Sequence, residues 1–526
     1  MRSDDVMSTC MCGIAAIYHQ SSKDSDPLHT CAAGRKMLTG IRHRGPDESD
    51  HWLLGHSAWL GHTRLSIVDL DGGRQPLGRQ DGWALVCNGE IYNHADIRAD
   101  LGEAARFATS SDSESALALL KLYGPAALDR LHGMWALCAA TPDGRFVAAR
   151  DRIGIKPLYW AQQDGTLWFA SELRAFPREV QPAVEAFPPG CYWTPEAGLV
   201  RFAHAVPSVG APGGEVAEDW LQLAPEIAEK ATHEVLVDSV RRHLMADVDV
   251  GVFLSGGLDS SVVAAIAARE YAKRGKTLKT FAVGTDGSPD LLAAREAAAF
   301  LGTEHHEAVF DAEQATAVVD QVVAAVESFD ASLIRSAVPN WFLSELASRH
   351  VKAVLTGEGA DELFAGYDYY HSAHADPAAL DAELARTIGD LHGLNLQRCD
   401  RVTMAHGLEA RVPFLDAQVI AHAVSLPPEL KGLEPDGMEK GHLRRAFTGW
   451  LPEHLLWRRK VQFGTGSGAQ DVLAPRPGAG DHDRVSDAEA SEMGLRTAEE
   501  TAYYRAFRRA LPDVRPEAVL TRFATA

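Results

Sequence analysis

Ser255-Gly256-Gly257-Leu258-Asp259-Ser260-Ser261 follows the apolar run VDVGVFL directly and opens a stretch with helical apolar spacing. Few segments this short restrict a fold more. Two glycines let the backbone close around an anion, while the hydroxyls of Ser255, Ser260 and Ser261 and the coming helix N-terminus supply donors. Asp259 is placed to hold a magnesium ion against a pyrophosphate. No lysine follows, so this is not the GxxxxGK[ST] loop. A plain helix cap needs one polar residue at such a junction, not four.

The text around that loop repeats its grammar. Residues 227–244 read as helix, 248–255 as a buried strand, 260–272 as helix, LKTFAVG as a strand, AAREAAAFLG as a helix and VKAVLTGEG as a third strand. Strands alternating with helices predict a doubly wound parallel sheet, with helices dominating after about 381. A second loop, Thr356-Gly357-Glu358-Gly359-Ala360-Asp361-Glu362, follows the run VKAVL. Its three carboxylates on a glycine-rich turn call for a cation, and Asp361 is the natural partner of Asp259 for Mg2+.

Residues 12 to about 202 read differently. GIAAIY, WALVCNGEI, MWALCAA and FVAARD are short β-rich runs bounded by turn residues, interrupted by helical spacing at 28–41 and 113–123. That pattern predicts an α+β layered fold. The Pro/Gly-rich segment at 204–216 reads as a linker. The expected organisation of the 526 residues is therefore a first domain at 12–203, a linker at 204–223 and a second domain at 224–526.

Composition removes several functions. A net charge of −21 opposes nucleic-acid binding over a broad surface. Seven scattered cysteines without a CxxC fit a reducing cytoplasm rather than a disulfide scaffold. No apolar run reaches membrane-spanning length, and MRSDDVMSTC lacks the apolar core of a secretory signal. The expectation is a cytoplasmic enzyme with neither a nucleic-acid nor a membrane partner.

The glycine-serine loop resembles the pyrophosphate loop of enzymes that cleave ATP between its α and β phosphates. Together with GEGADELFAGY, GLEARVPFLD, MCGI, IRHRGPDES, RLSIVDL and CNGEIYNH, in that arrangement along nearly the whole chain, it resembles glutamine-hydrolysing asparagine synthetase of the bacterial B type. The resemblance implies an αββα, Ntn-hydrolase-like class II glutamine amidotransferase domain, then an ATP pyrophosphatase domain with C-terminal helices. It implies glutamine, aspartate and ATP as substrates, Mg2+ as cofactor, and a homodimer.

Residue by residue, it makes Cys12 the nucleophile, with its own α-amino group as base. Asn88 and Gly89 become the oxyanion hole. Arg64 and Asp112 become the grips on the glutamine α-carboxylate and α-ammonium, with Ile67, Val68 and Glu90 lining the same pocket. In the second domain it assigns Leu254, Val283 and Gly357 to adenosine. Ser255, Gly256, Gly257, Asp259, Ser260 and Thr356 also fall to ATP, Arg335 and Lys440 to phosphates and adenylate, and Glu358 to adenylate and ammonia attack. Asp259 and Asp361 are the metal pair.

Two departures stand out. Residues precede Cys12, so its nitrogen is peptide-bonded in the sequence as written. Either translation starts at Met11 and the methionine is removed, or the extension is real and must be cut, or this half is inactive; Met11 sits where a start residue belongs, which favours the first. Secondly, relatives carry two adjacent threonines where this chain has Ser332 and Leu333. A missing hydroxyl near the acceptor raises an alternative, an amide ligase for another carboxylate. A silent subunit on the same fold is a further reading, opposed by the retained charged residues of both sites.

Overall fold

The computed structural model describes residues 12–523 except 22–25, 46, 80–81, 208–224, 373–376, 470–489 and 492. The expected linker at 204–223 therefore falls almost entirely outside the described residues, as does everything before Cys12.

The first region is built from two antiparallel sheets packed face to face. In one, Gly13–His19 lies between Thr166–Ala170 and Ala58–Arg64; in the other, Ala84–Ile91 pairs with Gly133–Ala140. Alternation along each strand sends one set of side chains inward. Ile14, Ala16 and Leu60 meet Val86, Ala136, Phe146 and Trp193 between the sheets. The other set is also buried, because a helix covers each outer face. Ala15 and Ile17 pack under Met37 and Leu38 of the helix Pro27–Gly40, and Leu85 and Leu137 pack under Leu117 and Leu120 of Ser113–Tyr123. Helix, sheet, sheet and helix form the four expected layers.

The second region holds a parallel five-stranded sheet in the order Glu304–Val309, Lys279–Gly284, Val250–Phe253, Ala353–Leu355, Glu409–Arg411. The order reverses between Val250–Phe253 and Ala353–Leu355. The crevice at such a reversal is where doubly wound sheets bind ligands, and the two loops singled out in the sequence leave these two strands. Both edge strands, EHHEAV and EAR, are polar and were not legible as strands, since neither carries an apolar run.

Charges, not only apolar contacts, join the regions. Arg44 bonds Glu172 and, through both terminal nitrogens, Asp400 at 2.8 and 3.2 Å. Arg401 reaches the Ser171 carbonyl at 2.7 Å and Glu327 at 3.3 Å, and Arg411 reaches Glu90 at 3.3 Å. Arg44, Arg401, Arg411 and Glu327 are fully buried. A buried charge is tolerated only with its partner, and removal of one member of such a pair costs about 3–5 kcal/mol. This network therefore fixes how the two regions meet.

Candidate active sites

Cys12 stands immediately before the central strand Gly13–His19. Its Sγ accepts the Leu65 N–H at 3.3 Å and its S–H points to the Leu65 carbonyl at 3.6 Å, while Arg44 Nε donates to the Cys12 carbonyl at 3.2 Å. Burial pushes the thiol up to about 12, so the resting group is a neutral thiol. Across the inter-sheet space, Asn88 is buried and its amide Nδ2 has no hydrogen-bond acceptor among the described residues. A buried amide donor left unpaired is costly unless something else fills the role. The next residue, Gly89, has φ +135, and a Cβ there would lie 1.9 Å from the Met134 carbonyl oxygen, so only glycine allows this bend in the strand.

His62 and Gln75 pin this strand through the Cys87 backbone, and sequence reasoning missed both. The Cys87 carbonyl accepts from His62 Nε2 at 3.2 Å and Gln75 Nε2 at 3.1 Å, and the Cys87 N–H donates to Gln75 Oε1 at 2.6 Å. Burial lowers His62 to about 3, keeping it neutral. No pattern around either residue distinguishes it from an ordinary core polar group.

Arg64 donates to the Asp69 carbonyl at 2.6 Å and to the Leu70 carbonyl and Glu48 at 3.1 Å each. It thus shapes the loop that carries Ile67 and Val68, and keeps two of its five N–H groups for a carboxylate. The Ile67 carbonyl accepts the Asp247 N–H of the second region at 2.9 Å. Asp112 accepts the Ile91 N–H at 2.6 Å, and burial pushes its carboxyl up to about 6. Glu90 was expected on substrate. Its Oε1 lies 3.3 Å from Arg411 of the second region, and its buried Oε2 has no hydrogen-bond partner among the described residues.

In the second region Leu254, Ser255, Gly257, Asp259, Ser260, Val283, Arg335, Thr356, Gly357, Glu358, Asp361 and Lys440 all line one cavity of about 630 Å3. Gly256 does not line it. With φ +70 and Ala293 backbone 2.5 Å from where a Cβ would stand, it makes the turn possible from below. The loop is held open by its own hydroxyls: Ser260 Oγ bonds the Ser255 N–H at 3.2 Å, and the Ser255 and Ser260 hydroxyls lie 3.1 Å apart.

The expected metal pair is bridged by protein cations. Lys440 Nζ bonds both oxygens of Asp259 at 2.7 Å and also bonds Asp361, which Lys460 Nζ reaches at 2.5 Å. Burial opposes a charge on Lys440, but Asp259 and Asp361 outweigh it and raise its pKa. Among the described residues no group of three or more His, Cys, Asp or Glu is arranged to hold a metal. Two carboxylates nonetheless fit the usual magnesium donor set, in which one or two carboxylates share the ion with substrate phosphates.

Four further residues enter here that sequence reasoning did not name. Lys460 is one, and Arg398 pairs with Glu358. The Tyr367 hydroxyl donates to Glu362 at 2.6 Å, and Asn395 Nδ2 donates to it at 3.2 Å. Burial pushes Glu362 up to about 7. The available signal was a helix, NLQRCDRVTMA, that is polar by composition yet largely buried. Leu333 is fully buried and lies outside the cavity lining, whereas Ser332 lines it. The absent hydroxyl thus lies away from the substrate space, and the case for a different acceptor loses its motive.

Comparison with known proteins agrees with this geometry. The asparagine synthase family model matches residues 231–379 and 372–519, and a glutamine amidotransferase domain model matches residues 11–189. Asparagine synthetase [glutamine-hydrolyzing] 3 of Arabidopsis thaliana is 40% identical over 485 residues, covering 87% of this chain and 79% of that protein. Asparagine synthetase B [glutamine-hydrolyzing] of Escherichia coli is 38% identical over 477 residues, covering 87% and 83%. A cysteine heading the central strand, a cavity at the strand reversal and this likeness along most of the chain agree: the chain belongs to the glutamine-hydrolysing asparagine synthetase family.

Proposed function

We propose that the two sites act in series. Glutamine is hydrolysed to glutamate and ammonia at Cys12, and ammonia then converts an adenylated aspartate side chain to asparagine in the cavity at the strand reversal. The observation that carries this reading is one helix, Asn395–Ala405, that faces both sites. Its Arg398 bonds Glu358 in the nucleotide cavity, and its Asp400 bonds Arg44, which holds the Cys12 carbonyl.

At the first site the thiol must lose its proton to attack the amide carbon. Among the described residues the bonding partners of Sγ are the two main-chain groups of Leu65, and neither is a base. The α-amino group of Cys12 supplies that base in an enzyme that begins at this residue, which the intact mass of the purified protein tests. Attack places negative charge on the former carbonyl oxygen, where the Asn88 amide and the Gly89 N–H stabilise it. Asp112 and the two uncommitted N–H groups of Arg64 take the ammonium and carboxylate of glutamine. Collapse of the adduct expels ammonia, and water releases glutamate from the thioester.

At the second site the aspartate β-carboxylate attacks the α-phosphorus of ATP, pyrophosphate leaves, and ammonia displaces AMP from the acyl carbon. Lys440, Lys460 and Arg335 neutralise the phosphates, and the glycine-serine loop cradles them. Asp259 and Asp361 would hold Mg2+, which supplies charge neutralisation to the leaving pyrophosphate when bound. Cys12 and Val68 pack against an apolar cluster that runs from Leu65 and Met134 into Leu254 and Leu258. Such surroundings keep ammonia neutral and nucleophilic on its way. A homodimer in a reducing cytoplasm completes the proposal; sedimentation velocity tests the first part.

Incubation with glutamine, aspartate and MgATP is expected to give glutamate, asparagine, AMP and pyrophosphate in equal amounts. ADP in place of AMP, or no AMP with aspartate, contradicts the proposal.

A further inference from the structure

Arg335 lines the nucleotide cavity from the helix Ala331–Ser348, but one edge of its guanidinium is already taken. Glu499, on the helix Ala498–Ala510, accepts from Nε at 3.1 and 3.0 Å and from Nη2 at 2.6 Å. The Tyr503 hydroxyl, one turn on, donates to Glu499 Oε1 at 2.7 Å and fixes the carboxylate in turn. Arg335 and Glu499 side chains are 27% and 12% exposed, so this is a sheltered pair rather than a solvated surface contact. The same terminal segment also grips the start of Arg335's helix. Asp330, its N-cap, accepts the Phe523 N–H at 2.9 Å, and Arg522 and Phe523 line the cavity.

We propose that Glu499, backed by Tyr503, is a positioning residue for aspartate adenylation: it holds the Nε–Nη2 edge of Arg335 so that the Nη1 side is presented to a phosphate oxygen in the cavity. This rests on the reading that Arg335 contacts the phosphates. A guanidinium has five donors in a fixed plane, and a carboxylate on one edge leaves the other fork usable. A long arginine side chain has many rotamers, and this pair removes most of that freedom before substrate arrives. An inhibitory carboxylate would have to stand in the substrate space, whereas Glu499 is absent from the residues that line it.

Positioning and simple charge competition have opposite signs. If Glu499 only competed with phosphate for Arg335, its loss would tighten nucleotide binding and leave turnover unchanged. If it positions Arg335, its loss reduces turnover. The test measures ammonia-dependent AMP formation, with KM for ATP and kcat separated, in full-length Glu499→Gln, Glu499→Ala, Tyr503→Phe and Arg335→Ala. Glutamate release from glutamine in the same samples reports folding. Expected are a kcat loss on the order of tenfold for both Glu499 variants, a loss of about threefold for Tyr503→Phe, and unchanged glutamate release. A lower KM at unchanged kcat, an unaltered Glu499→Gln beside an inactive Arg335→Ala, or a parallel loss of glutamate release overturns the inference. An unaltered Arg335→Ala overturns instead the phosphate-contact reading beneath it.

Discussion

The two sites solve opposite electrostatic problems. Around Cys12 the protein keeps groups neutral and leaves a donor unpaired: a protonated thiol, a neutral His62 and an Asn88 amide without an acceptor. Negative charge develops on the reacting carbonyl oxygen there only during reaction, so preorganised donors are worth most. Around Asp259 and Asp361 the protein does the reverse and pairs charges beforehand, with Lys440, Lys460 and the Arg398–Glu358 and Arg335–Glu499 couples. In the proposed reaction, ATP and Mg2+ would exchange partners with these groups rather than find vacant ones. The first site is built to create charge, the second to trade it.

Mutations separate the two designs. Cys12→Ala removes the nucleophile, and glutamine-dependent asparagine formation should fall below detection, at least about 10³-fold, with ammonia-dependent formation within about twofold of the parent. Loss of both activities would merge the two sites into one. Asp259→Ala should cost AMP formation on the order of 10²–10³-fold with either nitrogen source, since Lys440 loses one anchor and the pyrophosphate its metal carboxylate; glutamate release should persist. Asn88→Ala should slow glutamate release by about 10²–10³-fold without touching ammonia-dependent synthesis, the loss expected for one oxyanion donor.

A pH titration sharpens the contrast. Burial holds Asp112 at about 6, above its ordinary value, and in the proposed role only its ionised form attracts the glutamine ammonium. Affinity for glutamine is therefore full above that pH and falls as the group protonates below it. KM for glutamine should rise below about 6, and Asp112→Asn should flatten that rise while raising KM throughout. The smallest effect expected is at Leu333. Leu333→Thr buries a hydroxyl in a fully apolar position, lowering stability by about 1–3 kcal/mol, while KM for aspartate changes by less than about twofold. A large change in that KM would return the alternative acceptor to consideration.

Much of this was legible in the residues, and the reason differs by region. The strand–loop–helix punctuation at Ser255 and the helical spacing at 113–123 are local signals, and the elements Leu258–Lys273 and Ser113–Tyr123 match them closely. The edge strand Glu409–Arg411 left no trace, because its charges pair across the interface, Glu409 with Lys156 and Arg411 with Glu90, and it carries no apolar run. Sites followed the same division. The loop residues that line the cavity sit beside glycines that announce close backbone approach. Arg398, Lys460 and Glu499 arrive from distant helices and loops, and only the fold brings them in.

Isotope tracing tests most directly that ammonia made at the first site is used at the second without mixing into solvent. The enzyme is given glutamine labelled with ¹⁵N at the amide, aspartate and MgATP in the presence of excess unlabelled ammonium, and the asparagine amide is read by mass spectrometry. Retention of the label far above its share of the solution pool is the expected result. A label content equal to that of the pool would mean that the two sites merely share a polypeptide.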